Sequence, residues 1–268
     1  MNFETIAYDK EDGIAIITLS NPERGNALSN QLIKELGKAV DDIEEDENVR
    51  VMILTGGPDA KGRPCFSAGG DMKDFSTPGF DMRLFLLQCN ALINRIEELE
   101  KVTIAAIDGI CTAGGLELAM ALDIRLVAET VRIGDLHLKN LGSGLGGAGA
   151  STRLPRIVGL SNAKMLVFTG DLVDGKEAFR IGLANKVCPP DRLLETAKEI
   201  AKKAAAMRPT GVKITKAHLN LGIQMDSYQA LHYADVITQL ADAEGMKEIR
   251  KRQNAFASKG KDAFKNKG

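Results

Sequence analysis

Tryptophan is absent from this 268-residue chain, histidine occurs three times, and aromatic residues make up only 4%. So few rings exclude a stacking platform for single-stranded nucleic acid, which needs exposed aromatic faces. The formal net charge is −1, so no global field draws the chain to a polyanion or an acidic membrane. Its cysteines, Cys65, Cys89, Cys111 and Cys188, are scattered with no CxxC pair. Neither a metal site nor a disulfide framework is expected from that spacing, and reduced thiols of a cytoplasmic protein are the plainer reading. No apolar run approaches the roughly 18 residues that would span a bilayer. The opening Met1-Asn2-Phe3-Glu4 does not begin a basic-then-apolar leader. The expectation is a cytoplasmic chain with neither membrane nor nucleic-acid partner.

What is present is ordinary for a globular protein: 44% apolar and 26% charged residues, enough for a sizeable core. Ile14 to Leu19 reads as a strand closed by Ser20-Asn21-Pro22. Ser29 is placed to cap a helix whose Leu32, Ile33, Leu36, Val40 and Ile43 recur at helical spacing. Val51 to Leu54 is an apolar strand, residues 58–64 a loop, and 74–81 a further loop. A helix is predicted over 82–99, a strand over Val102–Ile107, a helix from about Gly115 to Leu122, and a strand over Ile124–Val127. Residues 141–150 hold five glycines and form a special loop. Helical candidates follow at Ala163–Phe168, Lys176–Arg180, Leu193–Ala206 and Tyr228–Ala241, and the end, Lys259 to Gly268, reads as frayed or surface-bound. Strand–helix alternation followed by a helical last third predicts an α/β fold with crossover connections. No linker separates independent domains.

Two glycine-rich turns carry the chemistry. Phe66-Ser67-Ala68-Gly69-Gly70-Asp71-Met72 follows one apolar segment. Ala106-Ile107-Asp108-Gly109-Ile110-Cys111-Thr112-Ala113-Gly114-Gly115 follows another and leads into Leu116-Glu117-Leu118-Ala119-Met120. Glycine lets backbone N–H groups approach a ligand with no Cβ in the way. Two such groups aimed at one carbonyl oxygen make an oxyanion hole. Glu117 sits one helical turn behind the second turn.

Those turns, with Asn21-Pro22, Asn26-Ala27-Leu28, Leu154-Pro155-Arg156-Ile157-Val158-Gly159, Thr169-Gly170, Ala178, Gly182-Leu183-Ala184 and Val187, cover most of the chain in order. In them the chain resembles the enoyl-CoA hydratase/isomerase family, the crotonase superfamily. The resemblance implies a crotonase-like superhelix of repeated ββα turns over residues 1–200, holding the active site. A helical C-terminal region over 201–268 would serve oligomerisation. It implies a homotrimer or homohexamer, acyl-CoA substrates, and no cofactor or metal beyond the coenzyme A of the substrate itself.

Position by position, the resemblance makes Gly70 and Gly114 the oxyanion-hole donors to a thioester carbonyl. It makes Glu117 a general acid/base of a hydro-lyase, against the alternative of a salt-bridged or solvated helical glutamate; its apolar neighbours predict burial and a raised pKa. Hydratases of the family carry a second glutamate in a segment like Gly-Gln-Pro-Glu. Here the segment reads Ile133-Gly134-Asp135-Leu136-His137-Leu138, which puts His137 at that glutamate's position, with Asp135 and, more weakly, Lys139 as other candidates. Ala27, Ala68, Asp71, Met72 and Lys73 match the segments that contact CoA and the acyl thioester, and Arg24 is a candidate for a CoA phosphate contact, or a solvated charge. Lys101 is a further candidate for a phosphate contact, or a solvated charge. The stretch around Phe75 to Phe80 and the helix after it are expected to line the acyl pocket. Asp123, Tyr228, His232 and Tyr233 read as structural.

The leading expectation is an enoyl-CoA hydratase-type enzyme, adding water to an α,β-unsaturated acyl-CoA or removing it, with a cyclic or dienoyl acyl group suggested by the altered second position. The alternatives are a hydrolase or C–C bond-cleaving relative acting on a diketone-like acyl-CoA, and a non-catalytic acyl-CoA-binding relative.

Overall fold

The computed structural model describes residues 2–143 and 146–240. Strand β1 (Ile6–Glu11) turns back on β2 (Ile14–Leu19), and after a 3₁₀ turn comes helix α1 (Asn30–Glu45). Then follow β3 (Val51–Gly56), β4 (Cys65–Ser67), a short α2 (Met72–Phe75) and α3 (Met82–Glu98). The next repeat is β5 (Val102–Ile107), β6 (Ile110–Thr112) and α4 (Gly114–Met120). The third is β7 (Ile124–Ala128), β8 (Arg132–Gly134), α5 (His137–Leu141) and α6 (Ala150–Thr169). The rest is α7 (Gly175–Arg180), β9 (Lys186–Cys188), α8 (Leu193–Ala205), α9 (Pro209–Gly222) and α10 (Ser227–Leu240).

Each repeat sends one strand into each of two sheets. The larger runs β1-β2-β3-β5-β7-β9, antiparallel only between β1 and β2; the smaller is the parallel set β4-β6-β8. The expected ββα repetition is thus the observed architecture. Strands buried on both faces read as near-continuous apolar runs; β2, β3 and β5 are of this kind, interrupted only by single threonines near the strand ends, and β7 adds the buried Arg125. Ala15, Ile17, Leu19, Met52, Leu54, Ala105, Ile107 and Val127 face the main core, which α1, α3, α4 and α6 complete. The alternate residues Ile14, Ile16, Val51, Ile53, Ile104, Ala106, Leu126 and Ala128 face Leu193, Ala197 and Ala201 of α8.

Local chemistry sets the boundaries. Ser29 caps α1 by accepting the Leu32 N–H at 3.1 Å. The expected strands over 14–19 and 102–107 have the observed limits, and the helix over 82–99 ends one residue earlier. Loop 74–81 begins inside α2. The candidate at Ala163–Phe168 is the second half of α6, which breaks at Gly159, φ 77° and ψ 156°.

The first compact unit ends at Met207 and the second begins at Arg208. The boundary expected at 200 falls inside α8, whose apolar face lies on the large sheet. The second unit pairs α9 with α10, and within it the rings of His218 and Tyr233 lie 5.8 Å apart. Tyr228, His232 and Tyr233 all belong to α10. Among the described residues no helix is long and apolar enough to cross a membrane. The lysine-rich segment 259–268, residue 241 of the last predicted helix, and residues 144–145 of the glycine loop lie outside the described residues.

Candidate active site

The small sheet assembles the site. Pairing of β6 with β8 sets Thr112 beside Gly134 and so brings the second glycine turn next to the segment that follows β8. The Ala113 N–H donates to the Gly134 carbonyl at 3.3 Å. Ala113 itself has φ 49° and ψ −119°, a conformation that costs a non-glycine residue about 1–3 kcal/mol. That reversal starts α4 at Gly114, whose N–H is one of the first-turn donors with no intrahelical acceptor. A Cβ on Gly114 would lie 3.4 Å from the Gly70 nitrogen, so the two predicted oxyanion donors are neighbours. The next residue explains why α4 can come so close: a Cβ on Gly115 would meet the Ser67 carbonyl oxygen at 2.6 Å.

The first glycine turn is held by the loop before α1. Leu28 N–H donates to Gly69 O at 2.7 Å, Asp71 N–H to Leu28 O at 3.2 Å, and Ala68 N–H to Gly25 O at 2.9 Å. Asn26, fully buried, donates through Nδ2 to the Gly57 and Cys65 carbonyls and accepts from Asn21 N–H. This brings Arg24, Ala27, Ala68 and Asp71 together. Ala27 is buried, and Ala68, Met72 and Lys73 are exposed. Asp71 caps α2, accepting from Lys73 N–H and Asp74 N–H, and pairs with Arg24 at 2.6 Å. Lys101 lies apart from this cluster, donating to the Ile43 and Asp46 carbonyls near the end of α1. Asp123 is a structural group here: its carboxylate accepts from Thr103 N–H at 2.8 Å and from the Thr103 hydroxyl.

Glu117 is almost completely buried. Its Oε1 accepts the N–H groups of Ala148 and Ala150, both at 2.9 Å. Its Oε2 lies 3.7 Å from His137 Nε2. Burial raises the Glu117 pKa; the His137 charge and the two N–H groups oppose this without cancelling it, and Asp135 adds to the rise. For His137 burial acts to lower the pKa, but the hydrogen bond it donates to Asp135 and the negative charges of Glu117 and Asp135 outweigh it, and the pKa is raised. Asp135 Oδ1 accepts the His137 backbone N–H at 2.8 Å and faces His137 Nδ1 at 3.0 Å. His137 and Asp135 are therefore both at Glu117, while Lys139 turns to the Gly170 carbonyl at 3.2 Å.

Residues that the sequence reasoning did not single out hold the glycine loop against Glu117. Arg153, largely buried, donates to the Ala148 carbonyl at 2.9 Å and to Glu97 and Asn94 of α3. Asn90 of α3 donates to the Gly147 carbonyl. A Cβ on Gly146 would collide with Glu117 Oε1, which accounts for a glycine there. The signal for this loop was its glycine density, but its anchoring to α3 crosses more than fifty residues and had no local trace.

The wall next to Gly70 is aromatic. The Phe75 ring contacts the space a Gly70 Cβ would fill, and Phe75, Phe80 and Phe85 stack mutually with centroids 5.1–5.7 Å apart. The cysteines are buried and free, and burial pushes the Cys89 thiol, which lies near Glu117, up to about 12.

Comparison with known proteins agrees with this geometry. The family model for enoyl-CoA hydratase/isomerase matches residues 9–267. The chain is 37% identical to a short-chain-enoyl-CoA hydratase of Clostridium acetobutylicum over the whole of both chains. It is 35% identical to a crotonyl-CoA hydratase of Syntrophomonas wolfei, over 97% of this chain and 100% of that one. The crystal structure of an enoyl-CoA hydratase from Bacillus anthracis superposes with a TM-score of 0.85 at 31% identity, covering 94% of this chain and 97% of that chain. With its repeated ββα turns, paired glycine turns and buried Glu117, the chain belongs to the enoyl-CoA hydratase/isomerase family.

Proposed function

We propose that this chain is an enoyl-CoA hydratase-type hydro-lyase that uses Glu117 and His137 as its proton-transfer pair. The observation that carries the reading is Glu117, with one oxygen fixed by two amides and the other facing His137, close behind the turn that starts at Gly114. The thioester carbonyl accepts the Gly70 and Gly114 N–H groups. Charge that develops on that oxygen is stabilised by fixed dipoles in a dry site, where one such donor is worth about 2.7–4 kcal/mol.

In the hydration direction Glu117 takes one proton from a water molecule. The resulting hydroxide bonds to the β-carbon, and the C=C electron pair moves onto the thioester as an enolate. Protonated His137 gives its Nε2 proton to the α-carbon as the enolate collapses. Transfer of the proton from Glu117 to His137 resets the pair, and the sum is addition of one water. Raised pKa values at both groups suit donors and acceptors working near neutrality.

The acyl group is small, and cyclic or dienoyl esters are included. The names of the two bacterial relatives support a short acyl chain. The Phe75–Phe80–Phe85 wall beside Gly70 supports a flat, apolar one. Arg24, Ala27, Ala68, Asp71, Met72 and Lys73 form the stretch along which the CoA thioester lies. Assembly is a homotrimer or homohexamer, supported by exposed Leu160, Met165 and Phe168 along α6; sedimentation of the purified chain tests it.

The activity test is incubation with linear, cyclic and dienoyl-CoA esters in H₂¹⁸O, read by mass spectrometry. Label in an intact hydroxyacyl-CoA supports the reading. Label in a carboxylate moves the assignment to hydrolysis or C–C cleavage.

A further inference from the structure

Asp135 stands directly behind the histidine. The residue is 1% exposed, Oδ1 takes both the backbone N–H and the Nδ1 side of His137, and Oδ2 has no hydrogen-bond partner among the described residues. A buried carboxylate is costly unless it is paired, and removing its partner leaves that cost uncompensated. Here the partner is one residue, contacted twice, and His137 follows Asp135 by two positions at the start of α5. The backbone bond fixes where the ring begins; the Nδ1 contact fixes its rotation. The opposite ring nitrogen then faces Glu117, whose Oε1 is already occupied.

We propose that Asp135 is a positioning residue that locks His137 with Nδ1–H bonded to its carboxylate and Nε2 turned to Glu117, so that an Asp-backed histidine works where the family resemblance leads one to expect a second carboxylate. The proposal deepens the reading that Glu117 and His137 move the protons, and it rests on that reading for its effect on rate. Around the ring, α4 contributes Glu117 and the β8–α5 junction contributes Asp135. Lys139 on α5 is directed to Gly170 O, Arg153 on α6 to Ala148 O, Asn94 and Glu97, and Cys89 of α3 is a buried thiol near Glu117. Neither cation is aimed at the imidazole, so Asp135 is the group that sets its tautomer.

The chain has three histidines, which makes the test direct: ¹⁵N-histidine labelling of the full protein, with NMR titration of the native chain and of Asp135→Asn. In the native protein His137 should keep Nδ1 protonated throughout, and Nε2 should titrate with a midpoint above the ordinary imidazole value of 6.5. In D135N the midpoint should fall by about one pH unit or more and the neutral ring should divide between tautomers. Turnover of D135N should drop roughly 10²–10⁴-fold with KM nearly unchanged, and the His137 limb of its pH profile should move with the NMR midpoint. A native His137 whose neutral ring carries its proton on Nε2 overturns the proposal, and so does a D135N spectrum identical to the native one. If D135N does not fold, the native spectrum alone decides. A locked His137 in a protein that hydrates no enoyl-CoA overturns the activity and leaves the positioning role standing; an active hydratase with an unlocked His137 does the reverse.

Discussion

Glu117 Oε2 and His137 Nε2 lie 3.7 Å apart, with side chains only 3% and 11% exposed. The gap is longer than a hydrogen bond and short enough for strong charge coupling in a dry site. Replacing Glu117 by Gln keeps its volume and its Oε1 contacts while removing the proton acceptor. The E117Q protein should fold, with Tm close to that of the native chain, and lose about 10²–10⁴-fold in kcat. Near-native kcat in steady-state assays would remove Glu117 from the proton-transfer pair.

Stability should depend on pH through the same two groups. Both bind protons more tightly in the folded than in the unfolded chain, because their folded pKa values are raised. Their contributions are therefore complete below the unfolded values, 4.5 for Glu117 and 6.5 for His137, and are lost as pH rises through the folded values. Thermal melts should show Tm falling above about pH 6.5 in the native protein, with a shallower fall in His137→Gln. Parallel curves would mean that the folded state does not hold the His137 proton.

Glu35 works with the opposite sign. Its buried carboxylate accepts from Glu4 N–H, Thr5 N–H, the Thr5 hydroxyl and Gln31. Burial acts to raise its pKa, but those hydrogen bonds outweigh it and the value is lowered. Its contribution is present above 4.5 and is lost as pH falls through the folded value. Acid unfolding of Glu35→Gln should be less steep than that of the native chain below pH 4.5, a difference that circular dichroism would register.

Gly115→Ala should separate packing from chemistry. Its Cβ meets the Ser67 carbonyl, backbone that cannot swing aside, so α4 shifts away from β4. The expected cost is about 1–3 kcal/mol in urea unfolding, together with a drop in kcat, because the Gly114 N–H and Glu117 ride on α4. A fully active, fully stable G115A would show that α4 need not sit where it does.

Ser29→Ala is the control. It removes the cap of α1 and should cost about 1 kcal/mol in denaturant melts. Steady-state kcat should be unchanged, because α1 supplies no group to the acid/base pair.

Much of this protein was determined by its sequence alone. The runs Ile14–Leu19 and Val102–Ile107 are legible as strands because β-branched and other apolar residues fill consecutive positions, the pattern of a strand covered on both faces. Ser29 marks a helix start by its own hydroxyl, and the ordered glycine turns identify the family through local backbone needs. Strands β4, β6 and β8, three residues each, were not legible, since so few residues carry no period. Nor was β1, an edge strand whose IAYDKE faces water over half its length. Only the tertiary structure decided the rest of the site. It set Gly70 beside Gly114, held the glycine loop to Glu117 through the Ala148 and Ala150 N–H groups and to α3 through Arg153, and turned the Asp135–His137 pair to face Glu117. Each of these joins groups through parallel crossovers or a reversal at a helix start. Such contacts depend on where whole elements pack, and hydrogen-bonding partners thirty or more residues apart leave no pattern in the residues between them.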